Sequence, residues 1–157
     1  MKSFFKNVLH AIRMHMSKTY ARNFQVNTAL ANLQQLVDGC EHHTADIEAM
    51  KRAAETVDLV DPIRFPEAVA ILAAADNFQC MELAIGYDRR QGKPCADRLM
   101  DVARWHLRLC GHGDRATWAR KRLLIAREWY ALSDTMTAAI RAEIEQGLRD
   151  TEWVLSL

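Results

Sequence analysis

The 157-residue sequence has few of the residues that mark turns between β-strands, with 6 glycines and 3 prolines. It contains no Asn-Gly or Asp-Gly hairpin flanked by alternating apolar and polar residues. Between its breaks, apolar residues recur at three- and four-residue spacings, which is typical of amphipathic helices. The sequence therefore predicts an all-α fold, a compact single-domain bundle of about seven helices over residues 1–157.

Long apolar runs are also missing, since the most apolar stretch is the eight residues Ala68 to Ala75. This is too short for a membrane-spanning helix. Charged and polar residues interrupt the first 20 positions, so we expect no signal peptide and predict a cytoplasmic protein. The cysteines are too sparse for a disulfide scaffold, and we predict free thiols at Cys40, Cys80, Cys95 and Cys110.

Catalytic motifs of known spacing are absent from the sequence. There is no glycine-rich phosphate loop, no Gly-x-Ser-x-Gly and no His-Glu-x-x-His. Asp97 and Asp101, four residues apart, are interpreted as surface salt links to neighbouring arginines. We therefore predict a protein that is not an enzyme and that needs no cofactor.

Two groups of metal-ligand residues leave a second interpretation open. His106 and Cys110 are four residues apart, a spacing that places two ligands on one helix face, and His112 follows. Cys40 and His42 follow the end of another predicted helix. If the fold brought these two sets of residues together, their side chains could bind zinc and stabilise the domain. Because no Cys-x-x-Cys pair occurs, we favour a buried core role for His106 over a metal site.

The net charge of +1 conceals segments of opposite sign. Residues 1–37 carry 5 basic and no acidic side chains, whereas residues 38–88 carry 11 acidic and 3 basic ones. Residues 89–129 then hold 11 basic and 4 acidic side chains, and residues 130–157 hold 2 basic and 5 acidic ones. Charged surfaces of this kind give specificity and fast association between macromolecules.

These segments predict an interaction protein, either an adaptor, an inhibitor or a regulator, that binds a protein partner. We expect a positive surface made of Arg104, Arg108, Arg115, Arg120, Lys121 and Arg122. An opposing acidic surface would contain Glu41, Asp46 and Glu48. The alternative is a nucleic-acid-binding regulator that uses residues 89–129, where Trp105, Trp118 and Trp129 interleave with arginines.

Helix patterns add two further expectations. Residues 1–22 are predicted to form a basic amphipathic helix, a pattern that fits either a helix on a membrane surface or an element for docking a partner or forming a homodimer. Of the two we favour docking. A later helix is expected to bury the stripe Trp118, Ile125, Trp129 and Leu132 in the core. The predicted helix caps include Ser3, Thr44 and Asp76.

Overall fold

The structure is a computed structural model that describes residues 2–40, 45–108 and 113–157. These residues form eight α-helices and a single 3₁₀ turn at Pro62–Arg64, with no strand among them. The helices are α1 (Lys2–Met16), α2 (Lys18–Asp38), α3 (Ile47–Val60), α4 (Phe65–Ala73), α5 (Phe78–Arg90), α6 (Ala96–Arg108), α7 (Gly113–Leu132) and α8 (Ala138–Leu155). The predicted all-α class is confirmed, and the helix count agrees with the expected bundle.

Contacts along the chain divide it into two compact units, Met1–Ile71 and Leu72–Leu157. In the first unit α2 packs against α1 and α3. In the second unit α6 packs against α5 and α7, and α7 also packs against α8. The single domain predicted for the whole chain stays a prediction.

Polar side chains set the start of several helices. Ser17 separates α1 from α2, because its extended backbone interrupts the helix and its Oγ accepts a hydrogen bond from the Tyr20 amide at 3.1 Å. The single helix predicted over residues 1–22 is therefore wrong, since α1 ends at Met16. The expected cap at Ser3 is wrong, since that residue lies inside α1. Asp46 caps α3, whereas the predicted cap Thr44 lies outside the described residues.

The break before α5 is confirmed, but its cap is not the predicted Asp76. Asn77 Oδ1 accepts hydrogen bonds from the amides of Gln79 at 2.9 Å and Cys80 at 3.2 Å. Asp76 stands one residue earlier and receives a hydrogen bond from the indole of Trp105 at 3.1 Å instead. The Asp76 carboxylate thus ties the start of α5 to α6.

Each unit has its own set of buried side chains. In the first unit, α3 buries Met50, Ala54 and Val57, as their three- and four-residue spacing predicts. Helix α2, which packs against α3, buries Val26, Ala29, Leu30 and Leu33. In the second unit, α6 buries Leu99, Val102, Ala103 and His106, whose three- and four-residue spacing in the sequence is that of one helix face. Burial of these apolar faces supplies the main favourable term in folding, at roughly 25 cal/mol per Å².

Two expectations from composition hold within the part of the chain that is described. None of its helices combines the length and the apolar character that crossing a bilayer requires. Cys40, Cys80 and Cys95 are free thiols, and Cys110 lies outside the described residues. Burial raises the pKa of the Cys95 thiol, which makes it a poor nucleophile.

Gly147 is buried within α8 at a close approach to leucine side chains. A Cβ there would lie 2.8 Å from Leu123 Cδ1 and 3.3 Å from Leu107 Cδ1. Because Leu123 is itself buried, we expect Gly147→Val to lower the free energy of unfolding by about 1–3 kcal/mol in urea denaturation. Gly86→Ala is the control, since a Cβ at this exposed α5 position meets nothing within 4 Å. Gly86→Ala should raise the same free energy by about 0.5–1 kcal/mol. Equal free energies of unfolding for the two variants would contradict this account.

Candidate interaction site

Helix α7 buries a different face from the one its sequence predicts. The buried residues are Ala116, Ala119, Leu123, Ala126 and Tyr130. The expected core stripe turns outward, because Trp118 is 44% exposed and Leu132 is 84% exposed. Ile125 and Trp129 are only half-buried at its middle. The prediction that this stripe is the core face is therefore wrong at Trp118 and Leu132, whereas Ile125 and Trp129 pack partly against the core.

Small side chains explain this orientation. Three of the five buried positions are alanines, and short side chains at a contact allow two helices to approach more closely. Helix α7 packs against both α6 and α8 in the second unit, so a stripe of tryptophans would hold these helices apart. The larger stripe lies only partly at the surface, and we refer to Trp118, Ile125, Trp129 and Leu132 as the α7 outer stripe.

Cationic side chains border one end of the α7 outer stripe. The Arg122 guanidinium lies 5.2 Å from the centroid of the Trp118 ring, and the Lys121 ammonium lies 5.6 Å from it. Cations over an indole face are attracted by its ring electrons. Arg115 lies over the buried ring of Trp105 at 4.9 Å and over Phe78 at 5.5 Å.

Three residues of the predicted positive surface form ion pairs inside the second unit. Arg104 Nε and Nη2 donate to Glu143 at 2.6 and 2.9 Å, and its Nη1 donates to Asp101 at 2.9 Å. These hydrogen bonds raise the pKa of Arg104 and lower the pKa of Glu143. Arg108 contacts Asp76 at 3.2 Å.

The pair between Arg122 and Glu82 is the least exposed of the three arginine pairs, so it serves the fold of the unit. A further pair joins Arg98 to the buried carboxylate of Asp88. Arg120 lies on the far side of α7 from Trp118, since each residue turns the helix by about 100°. The structure thus spreads the predicted positive surface over several sides of the second unit.

The expected salt link of Asp97 is not formed among the described residues. Asp97 instead accepts a hydrogen bond from the Tyr130 hydroxyl at 2.6 Å. Burial is the main cause that raises the pKa of Tyr130, and this hydrogen bond raises it further. Asp101 does form the predicted link, to Arg104.

The residues of the predicted acidic surface have local roles in the first unit. Asp46 Oδ1 accepts a hydrogen bond from the Ala49 amide at 3.0 Å, and Glu48 pairs with Lys51 at 3.0 Å. Both carboxylates remain solvent-accessible. Glu41 lies outside the described residues.

His106 is the most unusual titratable group of the second unit. It is 1% exposed, between the rings of Phe78, Trp105 and Trp118, and within the described residues neither ring nitrogen has a hydrogen-bond partner. Burial, with smaller contributions from Arg115 and Arg122, lowers the pKa of His106 to about 4. The imidazole is therefore neutral at physiological pH.

The predicted zinc site cannot be assembled from the described residues alone. Cys110, His112 and His42 lie outside them, and the described ranges contain no cluster of three metal-ligating side chains. The burial of His106 agrees with the core role favoured for it. The zinc hypothesis stays a prediction.

Comparison with protein-family models, with curated proteins and with solved structures finds no match to this chain.

Proposed function

We propose that this chain is a non-enzymatic interaction protein, an adaptor, inhibitor or regulator, that binds a protein partner through the α7 outer stripe. One observation carries the proposal: α7 packs with its alanines and leaves two of its tryptophans and Leu132 at least partly accessible. An exposed apolar patch with a polar border is the usual sign of a protein interface. Tryptophan and arginine are also the residues most enriched at interface hot spots.

The cations beside Trp118 define the chemistry of the partner. Lys121 is exposed and makes no ion pair within residues 45–108 and 113–157, so its charge faces solvent. A partner with an apolar centre and acidic residues at one edge would complement this surface. Arg104, Arg108 and Arg122 contribute less to such a surface, because acidic groups of the second unit already neutralise them.

Leu132→Asp tests the proposal at the most exposed residue of the α7 outer stripe. We expect it to abolish partner capture, because a buried carboxylate in an apolar contact is strongly unfavourable. The measurement is affinity capture from the native host with immobilised wild-type and variant chains, followed by identification of the proteins retained. A carboxylate at position 132 should hardly change the melting temperature, since the leucine is almost fully exposed.

Ala131→Asp provides the matched control. It introduces the same charge one residue earlier, at an exposed position on another side of α7. The proposed interface requires proteins that are retained by the wild type and by Ala131→Asp but not by Leu132→Asp. Identical sets on all three chains would refute it.

Nucleic-acid binding is the second candidate function, and the position of Trp118 favours it. A half-exposed indole beside Lys121, whose charge faces solvent, is the combination of stacking surface and cation found in single-strand grooves. Arg122 contributes less, because it is largely buried and pairs with Glu82. Trp105, by contrast, is buried and has no face for a base. Fluorescence anisotropy with labelled single-stranded and duplex DNA at increasing salt distinguishes the two functions. Phosphate-driven binding weakens with a log–log slope near −0.9 for each duplex phosphate neutralised, and no binding at low salt eliminates this candidate.

A further inference from the structure

Helix α1 packs onto α2 with its polar side. His10 lies at the contact, with Nδ1 2.9 Å from the Tyr20 hydroxyl and its ring 4.2 Å from the ring of Phe24. The Arg13 guanidinium lies 5.9 Å from the Tyr20 ring centroid. The side of α1 that faces α2 is therefore the one with imidazole and guanidinium groups.

The apolar side of α1 consequently faces outward. At about 100° per residue, five large apolar residues fall within one arc opposite His10, and His15 is the one titratable side chain among them. All five are exposed, from 40% at Val8 to 68% at Phe4. We refer to Phe4, Phe5, Val8, Leu9 and Ile12 as the α1 apolar stripe.

Positive charge borders the α1 apolar stripe. Lys6 and Arg13 lie next to the Leu9 edge of the arc by the same geometry. Residues 1–37 contain no acidic side chain that could neutralise these cations locally. Large apolar residues on one side and cations along the edge are typical of helices that lie in the plane of a membrane surface.

We propose that the α1 apolar stripe binds an anionic lipid surface, with α1 lying parallel to the bilayer. The stripe enters the boundary between headgroups and acyl chains, while Lys6 contacts the lipid phosphates and Arg13, which lies nearer α2 over the Tyr20 ring, adds to the positive potential of this edge. The stripe runs from Phe4 to Ile12 of the 15-residue helix, a rise of roughly 12 Å at 1.5 Å per residue, so it presents a narrow contact to a flat surface.

Charge favours lipid over a second copy of the chain as the occupant. Two copies that met through this stripe would offer the cations no carboxylate, because residues 1–37 contain none, and an antiparallel pair would bring the two basic edges together, where like charges repel. An anionic bilayer has the opposite charge and attracts each cation near its surface. The homodimer expected for residues 1–22 thus becomes an alternative outcome of the test.

Co-sedimentation of the full chain with lipid vesicles tests the proposal. The wild type should sediment with phosphatidylcholine vesicles that contain about one third phosphatidylserine and remain in solution with pure phosphatidylcholine. Binding should fall as salt rises, because the cations are solvent-exposed and screened. Leu9→Asp should weaken vesicle binding at least about tenfold, because it places a charge within the stripe.

Asn7→Asp is the matched control, since it adds the same charge at an exposed position of α1 outside the stripe. It should retain most of the vesicle binding, whereas Lys6→Glu should lower it without altering the apolar stripe. Circular dichroism should show the same helicity for all variants. Leu132→Asp changes only the α7 outer stripe and should bind vesicles like the wild type. Vesicle binding by α1 and partner capture by α7 are thus tested independently of each other.

Three results would overturn the inference. The first is a wild-type chain that ignores anionic vesicles, and the second is a Leu9→Asp variant that binds them as well as the wild type. The third is a Leu9-dependent dimer or protein complex, seen by analytical ultracentrifugation, in a chain that does not bind vesicles. Each of these would show that the α1 apolar stripe is not a lipid-binding surface, and the third would assign it to a second copy or to a protein partner.

Discussion

Replacing Trp105 by alanine is expected to lower the free energy of unfolding of the second unit by about 3–5 kcal/mol. The indole is 1% exposed and contacts the rings of Phe78 and His106, with the Arg115 guanidinium above it. Its removal leaves a large cavity, and the Nε1 hydrogen bond to Asp76 is lost as well. Urea denaturation followed by circular dichroism measures the effect.

Two variants separate the causes of this loss. Trp105→Phe keeps an aromatic ring but removes the hydrogen bond to Asp76, so we expect it to cost clearly less than the alanine variant. Trp153→Ala makes the same change as Trp105→Ala at a position that is 66% exposed, and it should alter stability by no more than about 0.5 kcal/mol. Equal losses for Trp105→Ala and Trp153→Ala would show that Trp105 is not a core residue.

His106 should make the second unit sensitive to acid. Its pKa is about 4 in the folded state and about 6.5 in an unfolded chain, so the unfolded chain binds the proton more readily. The stabilisation from the neutral imidazole is complete above about pH 6.5 and is lost as the pH falls toward 4, by up to about 3 kcal/mol. Stability measured in urea across this pH range should therefore decrease on acidification.

His106→Phe tests the origin of this acid sensitivity. The variant keeps a ring among aromatic neighbours and loses no hydrogen bond to the described residues, so at neutral pH its stability should be close to that of the wild type. At about pH 4 it should exceed the wild type by up to about 3 kcal/mol. Trp105→Phe, which retains His106, should keep the wild-type slope. Parallel pH profiles for the wild type and His106→Phe would contradict the assignment.

The sequence predicts the fold class and the packing faces of α3 and α6, because in these helices one apolar stripe is much larger than any other. It fails at α7, where two stripes compete. Hydropathy favours Trp118 and Leu132, but close packing selects Ala116, Ala119 and Ala126. The three alanines recur after three and seven residues, and with Leu123 and Tyr130 they complete a three- and four-residue pattern in the sequence that would have indicated the second stripe.

The charge pattern of the sequence shows which segments are basic or acidic, but it does not show which side chains form ion pairs. Segment totals show that residues 89–129 are basic, yet they cannot show that Arg122 meets Glu82 or that Arg104 meets Glu143, 39 residues away. Such pairs depend on how α5, α6, α7 and α8 come together. The same limit applies to the helix starts, since Asp76 and Asn77 are both good caps and only the local backbone selects Asn77.

On the alanine face of α7, a more apolar side chain would be less suitable for the core than the native one. Ala119 and Ala126 have no accessible surface, so a leucine at either position would be more apolar than the native residue and yet too large to fit. The size of the side chain, rather than its hydrophobicity, decides which residue can occupy these positions. This contact between helices is thus specified largely by methyl groups, together with Leu123 and Tyr130, while Trp118 and Leu132 of α7 remain exposed at the surface.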